Sequence, residues 1–196
     1  KSLLTLINDI LDLSKIEAGR LELHYDAISL ATIFQEMEQI FSVKMKEKNL
    51  NFIMDIAGDL PDVLMLDEVR VRQVLFNLIG NAVKFTEKGF IKLSAYKVAC
   101  IDSSKVDLVM CVEDSGIGIP GDQQNMVFES FKQQEGQKFR KFGGTGLGLA
   151  ITKRLVEMML GQISLKSQVD TGSVFQVVLA KVDVASIKPD TDLMDD

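Results

Sequence analysis

Three short stretches of this 196-residue chain carry residues that ordinary packing does not ask for. In Asn77-Leu78-Ile79-Gly80-Asn81-Ala82-Val83-Lys84-Phe85-Thr86, residues Asn77, Asn81 and Lys84 stand at i, i+4 and i+7. On a helix they share one face, while Leu78, Ile79 and Val83 turn toward a core. Asn is a mediocre helix former because its amide competes for backbone hydrogen bonds, so two on one face need a reason. An amide oxygen is a hard neutral ligand suited to Mg²⁺, which takes its remaining ligands from substrate phosphates and water. Lys84 supplies a compact positive charge for phosphate oxygens. Taken alone, a solvated polar helix face accounts for the stretch equally well.

The second stretch, Asp114-Ser115-Gly116-Ile117-Gly118-Ile119-Pro120, follows an apolar strand pattern directly. A carboxylate at a strand end can accept the exocyclic amine of adenine, and Gly116 and Gly118 let backbone approach a flat base. The competing reading is an ordinary Asp/Gly turn. The third stretch, Gly143-Gly144-Thr145-Gly146-Leu147-Gly148-Leu149, opens an apolar helix. Glycines at a helix start expose orphan N–H groups and the positive dipole end, a ready phosphate site. Neither a Gly-Lys-Ser/Thr ending nor an immediately preceding strand is present, which excludes the common phosphate loops.

These stretches need elements to position them. Leu30, Ile33, Phe34, Met37, Ile40, Phe41 and Met45 repeat at helical spacing behind Ser29 as N-cap. Asp67 can cap the helix whose core stripe is Val71, Val74, Leu75, Leu78, Ile79, Ala82 and Val83, with Lys88-Gly89 closing it. A further helix is expected over 146–160, with Gly161 at its end. Strands are expected over 51–56, 63–66, 90–98, 106–113, 162–167 and 174–182, the last two joined by Asp170-Thr171-Gly172. In the 106–113 strand Val106, Leu108, Met110 and Val112 alternate, so one face is buried. Residues 120–144 lose periodicity, as a functional loop or lid does. The strands do not alternate regularly with helices, so the class is α+β, a mixed sheet with helices layered on one face.

At the N-terminus Leu3, Leu6, Ile10 and Leu13, widened by Leu4, Ile7 and Leu11, make a broad apolar stripe that ends near Gly19. So short a helix needs a partner helix, expected to lie outside this sequence. The tail 188–196 is acidic and reads as a linker. A net charge of -6 without a basic stripe argues against nucleic-acid binding. Cys100 and Cys111 have no metal spacing and read as reduced core residues. No apolar run reaches the ~18 residues of a membrane span.

In chain order the three stretches supply a metal site, a base site and a phosphate site, and together they resemble the GHKL ATPase superfamily, within it the catalytic domain of sensor histidine kinases. Asn77–Lys84 is similar to the N box, Asp114–Gly118 to the first glycine box and Gly144–Gly148 to the second. Val127-Phe128-Glu129-Ser130-Phe131 resembles the F box, and Gly172-Ser173-Val174-Phe175 the last turn. Ser14-Lys15-Ile16-Glu17-Ala18-Gly19 is similar to the end of the dimerisation-domain second helix of hybrid-type kinases.

The resemblance implies a Bergerat-type α/β sandwich over 21–184, the end of a dimerisation and phosphotransfer domain over 1–20, and a linker over 185–196. It implies that Asn81 ligates Mg²⁺, Asp114 reads the adenine amine, and Lys84 with the Gly144, Thr145, Gly146, Leu147 and Gly148 backbone holds phosphates. Asn77 supports the metal or phosphate shell, Phe85, Gly116, Gly118, Phe131 and Ser173 complete the ATP pocket, and Arg140 neutralises the γ-phosphate from the lid. The implied reaction moves the γ-phosphate of ATP to a protein histidine upstream of the chain, in the cytoplasm, with a membrane anchor left open for the full-length protein. The implied partners are the dimerisation helices of a homodimer and a response-regulator receiver domain. Hydrolysing relatives carry a Glu base where this chain has Asn77, and Asn cannot take a proton from water. The single histidine, His24, lacks the acceptor's surroundings and is expected not to be phosphorylated. A serine kinase of the anti-sigma type and a nucleotide-sensing module without transfer are the alternatives.

Overall fold

The computed structural model describes residues 3–98, 104–129 and 146–185. Cys100, Ser130, Phe131, Arg140, Gly143, Gly144, Thr145 and the acidic tail lie outside them, as do the side chains of Leu3, Leu4 and Leu6. Helix α1 (Leu3–Glu17) is followed by β1 (Asp26–Ile28), α2 (Leu30–Glu47), β2 (Leu50–Ile56), β3 (Leu64–Leu66), α3 (Glu68–Phe85), β4 (Gly89–Val98), β5 (Lys105–Asp114), α4 (Gly148–Met158), β6 (Gly161–Gln168) and β7 (Gly172–Asp183). Among the described residues between β5 and α4 there are two single turns of 3₁₀-helix, Gly121–Gln123 and Met126–Phe128.

The main sheet has the order β2-β4-β5-β7-β6. Only β2 and β4 run parallel; the other neighbours are antiparallel. A parallel pair needs a crossover, and α3 provides it, which is why the Asn-bearing helix lies across the sheet. Strands β1 and β3 form a separate antiparallel ribbon.

Period-2 alternation sends Ile91, Leu93 and Ala95 of β4, Leu108, Met110 and Val112 of β5, and Val177 and Leu179 of β7 to one face. There they meet Ile33, Phe34 and Met37 of α2, Val71, Leu75, Leu78 and Ile79 of α3, and Ile151 and Leu155 of α4, all buried. The expected class, a mixed sheet with helices on one face, is what the chain adopts. The opposite face is polar: Gln176 donates to Tyr96 Oη at 3.0 Å and Lys92 pairs with Asp55 at 2.6 Å. Cys111 belongs to this face, paired in register with Ser94, and is only half-buried. It alternates out of phase with Met110 and Val112, so it is not the core residue that composition suggests.

Two further expectations are refined. Helix α4 stops at Met158, and the residue that turns left-handed after it is Leu160 (φ 57°), not Gly161. Gly161 starts β6 instead, where a Cβ would stand 2.5 Å from Val178 O and Leu179 Cδ2. The α1 stripe divides: Leu13 is buried and Ile16 packs on the core, with α1 lying against α4, while Ile7, Ile10 and Leu11 remain exposed. Asp12 Oδ2 accepts a hydrogen bond from Gln73 Nε2 of α3 at 2.7 Å. Thus α1 has partners within the chain and an apolar side left over.

Asp67 caps α3 as its position predicts. Its buried carboxylate accepts the Arg70 N–H through Oδ1 and the His24 N–H through Oδ2, both at 2.9 Å. The second bond ties the segment between α1 and β1 to the start of α3. Replacing Asp67 by Ala removes the cap and strands both amides, so unfolding free energy should fall by about 2 kcal/mol. Urea denaturation measures it, and a loss below about 0.5 kcal/mol would mean that water substitutes for the carboxylate.

Candidate functional site

Asp114 ends β5 and is paired in register with Ser173 near the start of β7, so the carboxylate enters the gap between the two strand ends. It is 7% exposed. Oδ1 accepts the Gly116 N–H at 2.8 Å, and the Ser173 backbone N–H also donates to the carboxylate. Burial outweighs these bonds and pushes the carboxyl up to about 6, with the charge of Glu113 adding to the rise. At neutral pH the group is ionised, and a carboxylate has about four acceptor directions, two of them used here. An additional donor, such as the exocyclic amine of adenine, is the kind of partner this site accepts.

The loop beyond Asp114 is held from several sides. Ile117 N–H donates to Phe85 O at 3.4 Å, Asp170 N–H to Ile117 O at 2.8 Å, and Ile119 N–H to Ser167 Oγ at 2.8 Å. Gln124 Nε2 bridges Ile119 O and Ser167 O at 3.0 and 2.8 Å. Ser167 Oγ in turn donates to Gly172 O at 2.8 Å and lies 3.0 Å from the buried Ser173 Oγ. The glycines are dictated by this crowding. A Cβ on Gly116 would stand 2.6 Å from Phe85 O, and on Gly118 (φ 65°) it would fall on Gln168 O.

On α3, Asn77 Nδ2 lies 3.4 Å from both Gly148 O and Thr152 Oγ1 of α4. Thr152 is buried and donates to Gly148 O at 2.8 Å. Asn81 follows one turn later and is half-exposed. Lys84 Nζ lies 4.5 Å from the centroid of the Phe85 ring. Leu147, the N-cap residue of α4, makes no side-chain cap bond, and the N–H groups of a first helical turn have no partner within the helix. Leu147 is fully buried, so it anchors the turn and only its backbone can serve a phosphate. Gly146 precedes it with φ 71°.

The structure therefore joins Asn77 to Gly148, Phe85 to Gly116 and Ile117, and Asp114 to Gly116 and Ser173. Phe131, Arg140, Gly144 and Thr145 lie outside the described residues. Phe128 of the F-box stretch packs edge-on to Phe175, ring centroids 6.2 Å apart. His24 is exposed, and its backbone rather than its imidazole is held. Sequence reasoning missed Gln124, Thr152 and Ser167. Thr152 at i+4 from Gly148 carried a faint signal, the other two none. A cleft of about 490 Å³ is lined, among the described residues, by Ile16, Arg154, Glu157 and Met158, none of them a predicted site residue.

A strand-end carboxylate read through two glycines, beside a two-asparagine helix that crosses a mixed sheet, defines a nucleotide-binding ATPase domain. Residues 66–183 match the family described as histidine kinase-, DNA gyrase B- and HSP90-like ATPases, and the chain belongs to it. It is 41% identical over 174 residues to the signal transduction histidine-protein kinase BarA of Escherichia coli K12, covering 89% of this chain and 19% of that protein. It is also 41% identical over 175 residues to the sensory/regulatory protein RpfC of Xanthomonas campestris pv. campestris, covering 89% of this chain and 24% of that one. The chain thus spans about a fifth of the length of these relatives. Among solved structures, full-length ShkA in complex with AMPPNP superposes with a TM-score of 0.80 at 32% identity, covering 94% of this chain and 36% of that one. The catalytic domain of the histidine kinase ThkA superposes with a TM-score of 0.65 at 27% identity, covering 81% of this chain and 97% of that one.

Asp114 sets a pH dependence whose sign follows from its chemistry. With Asp114 as acceptor of the adenine amine, the ionised carboxylate is favoured, so the raised pKa should fall on binding and affinity should weaken as pH drops through about 6. Asp114→Asn should bind ATP about 10–100-fold more weakly at pH 7.5, the worth of a charge-assisted hydrogen bond. The ratio of variant to wild-type Kd should shrink toward pH 5.5, and taking the ratio cancels protonation of the phosphates themselves. Calorimetric titration at both pH values checks it; a constant ratio would remove Asp114 from base recognition.

Proposed function

We propose that the chain is the ATP-binding catalytic part of a two-component sensor histidine kinase, transferring the γ-phosphate of ATP to a histidine outside this chain. The similarity to BarA, RpfC and ShkA over nearly the whole chain supports it. The observation that carries transfer rather than hydrolysis is Asn77. Its neutral amide, engaged with Gly148 O and Thr152 Oγ1, occupies the position where hydrolysing relatives hold a base. Phosphoryl transfer asks for positioning and charge neutralisation, and little covalent chemistry falls to the protein.

In this reading Asp114 and the Gly116–Gly118 backbone seat the base beside Phe85 and Ser173. Lys84 and the backbone amides at the start of α4 take phosphate oxygens. The donor set suits Mg²⁺ entering with the nucleotide: one amide oxygen, from Asn81, beside phosphates and water. Among the described residues no cluster of three or more His, Cys, Asp or Glu side chains could hold a metal without it. Helix α1 is then the end of the dimerisation and phosphotransfer domain. The exposed Ile7, Ile10 and Leu11 suit helices of a homodimer, and a receiver domain is the onward partner. Among the described residues no helix is long and apolar enough to cross a membrane. A cytoplasmic site of action follows from the use of ATP.

Offered a separately produced dimerisation domain that contains the acceptor histidine, the chain should place acid-labile label from γ-labelled ATP on that domain and none on itself. Acid-stable label would favour the serine-kinase alternative, and binding without transfer a sensing module. Stoichiometric acid-labile label on His24 would overturn the assignment of the acceptor. Asn77→Glu supplies a base while severing the tie to α4. Steady-state ATP hydrolysis should therefore show kcat raised about tenfold or more, with a higher KM. An unchanged kcat would sink the argument from the missing base.

A further inference from the structure

Lys48 is used by nothing described so far. It is the C-cap residue of α2, and its backbone N–H returns to Lys44 O. Asn49 then turns left-handed (φ 51°) into β2. The position is rigid because Phe41 and Met45, on the last turns of α2, are buried in the core. From there the side chain crosses to the carbonyl end of α3. Lys48 Nζ donates to Val83 O at 2.7 Å, to Lys84 O at 3.2 Å and to Thr86 O at 3.0 Å.

Helix ends leave carbonyls without intrahelical partners. Helix α3 has no left-handed closing residue, because Thr86 is extended (φ -102°, ψ 120°). The three lysine bonds satisfy its last carbonyls, and the remaining one in the run, Phe85 O, accepts the Ile117 N–H. Four consecutive carbonyls are therefore taken by one ammonium and one glycine-loop amide. An ammonium has three donors from a single atom, and three carbonyls converge on it. Its charge also lies at the negative end of the α3 dipole. The clamped turn carries Lys84 and Phe85, and the Phe85 carbonyl fixes the loop that follows Asp114.

We propose that Lys48 is a positioning residue for nucleotide binding, holding the carbonyl end of α3 so that Lys84, Phe85 and the Gly116–Gly118 loop stay in the arrangement that receives ATP. This rests on the reading of the pocket as an ATP site. Lys48→Met keeps the length and apolar stem and removes the charge and all three donors. The Kd of the full chain for ATP with Mg²⁺, measured by calorimetry well below the melting midpoint, should rise about tenfold. Exchange of the Ile117 amide should accelerate, while that of core amides such as Leu108 stays slow. Lys48→Arg keeps charge and reach, but its planar fork cannot converge on three carbonyls from one nitrogen. Its Kd should rise about threefold, and it decides the matter if Lys48→Met does not fold.

Asp67→Ala is the control, because it weakens α3 from the opposite end. It should lower stability while leaving Kd within about twofold of wild type. Equal Kd for wild type and Lys48→Met, or equal weakening in Lys48→Met and Asp67→Ala, would overturn the proposal. Failure of the wild-type chain itself to bind ATP would instead overturn the nucleotide reading on which it stands.

Discussion

A carboxylate that is 7% exposed yet ionised at neutral pH is the constraint around which this domain is arranged. Burial alone would neutralise it. Two backbone amides oppose that, and supplying them forces the ends of β5 and β7 and the following loop into one small volume. The crowding then dictates composition. A Cβ on Gly116 would meet Phe85 O and Asp114 Oδ1, and one on Gly172 would fall on Asp114 O. The glycines that look like a flexible motif are the consequence of a rigid one. The pKa of about 6 is the residue of this compromise: low enough for the carboxylate to be charged at neutral pH, high enough to gain from one more donor.

Helix α3 transmits that arrangement to the rest of the chain. Its N-terminus is held by Asp67, which also fixes the His24 backbone. Within its first two turns, Arg70 donates to Gln73, and Gln73 donates to Asp12 of α1. Arg72 pairs with Glu68 and with Glu36 of α2. Farther on, Asn77 meets Gly148 of α4, and the last turn meets Lys48 and Ile117. Between them these ties join the helix to α1, α2, α4 and the loop after β5. A shift of α1 relative to α3 would therefore be felt along a helix that also carries the phosphate and metal candidates.

How much of this was legible depended on the kind of interaction. The apolar stripes of α2 and α3 and the alternation in β5 repeat at fixed short periods, so those elements stand close to where spacing put them. The Asp67 cap is local, a bond between residues three apart, and it too was readable. Lys48, Ser167 and Gln124 act across 35 to 48 positions of chain, and no period in a single sequence encodes such a distance. Cys111 was misplaced because composition ranks cysteine as buried without saying which face of a strand it is on. Gly161 was misassigned because a glycine after a helix has two explanations, left-handed closure and close approach, and here Leu160 took the first.

The asparagine at position 77 shows why a motif is better read with its contacts than as a string. Its amide hydrogen faces Gly148 O and Thr152 Oγ1, and that carbonyl already accepts the threonine hydroxyl. A carboxylate in the same place would direct negative charge at a carbonyl oxygen near 3.4 Å, a repulsive pair in a partly buried setting. A domain of this fold that uses a base here must therefore begin α4 differently, or swing the side chain outward toward water. Under the proposed function, the choice between transferring phosphate and hydrolysing ATP would rest with the α3–α4 contact, shared among residues 77, 148 and 152. Asn77 is the visible part of it, and Thr152, buried and bonded to the same carbonyl, is the part that keeps the amide the better fit.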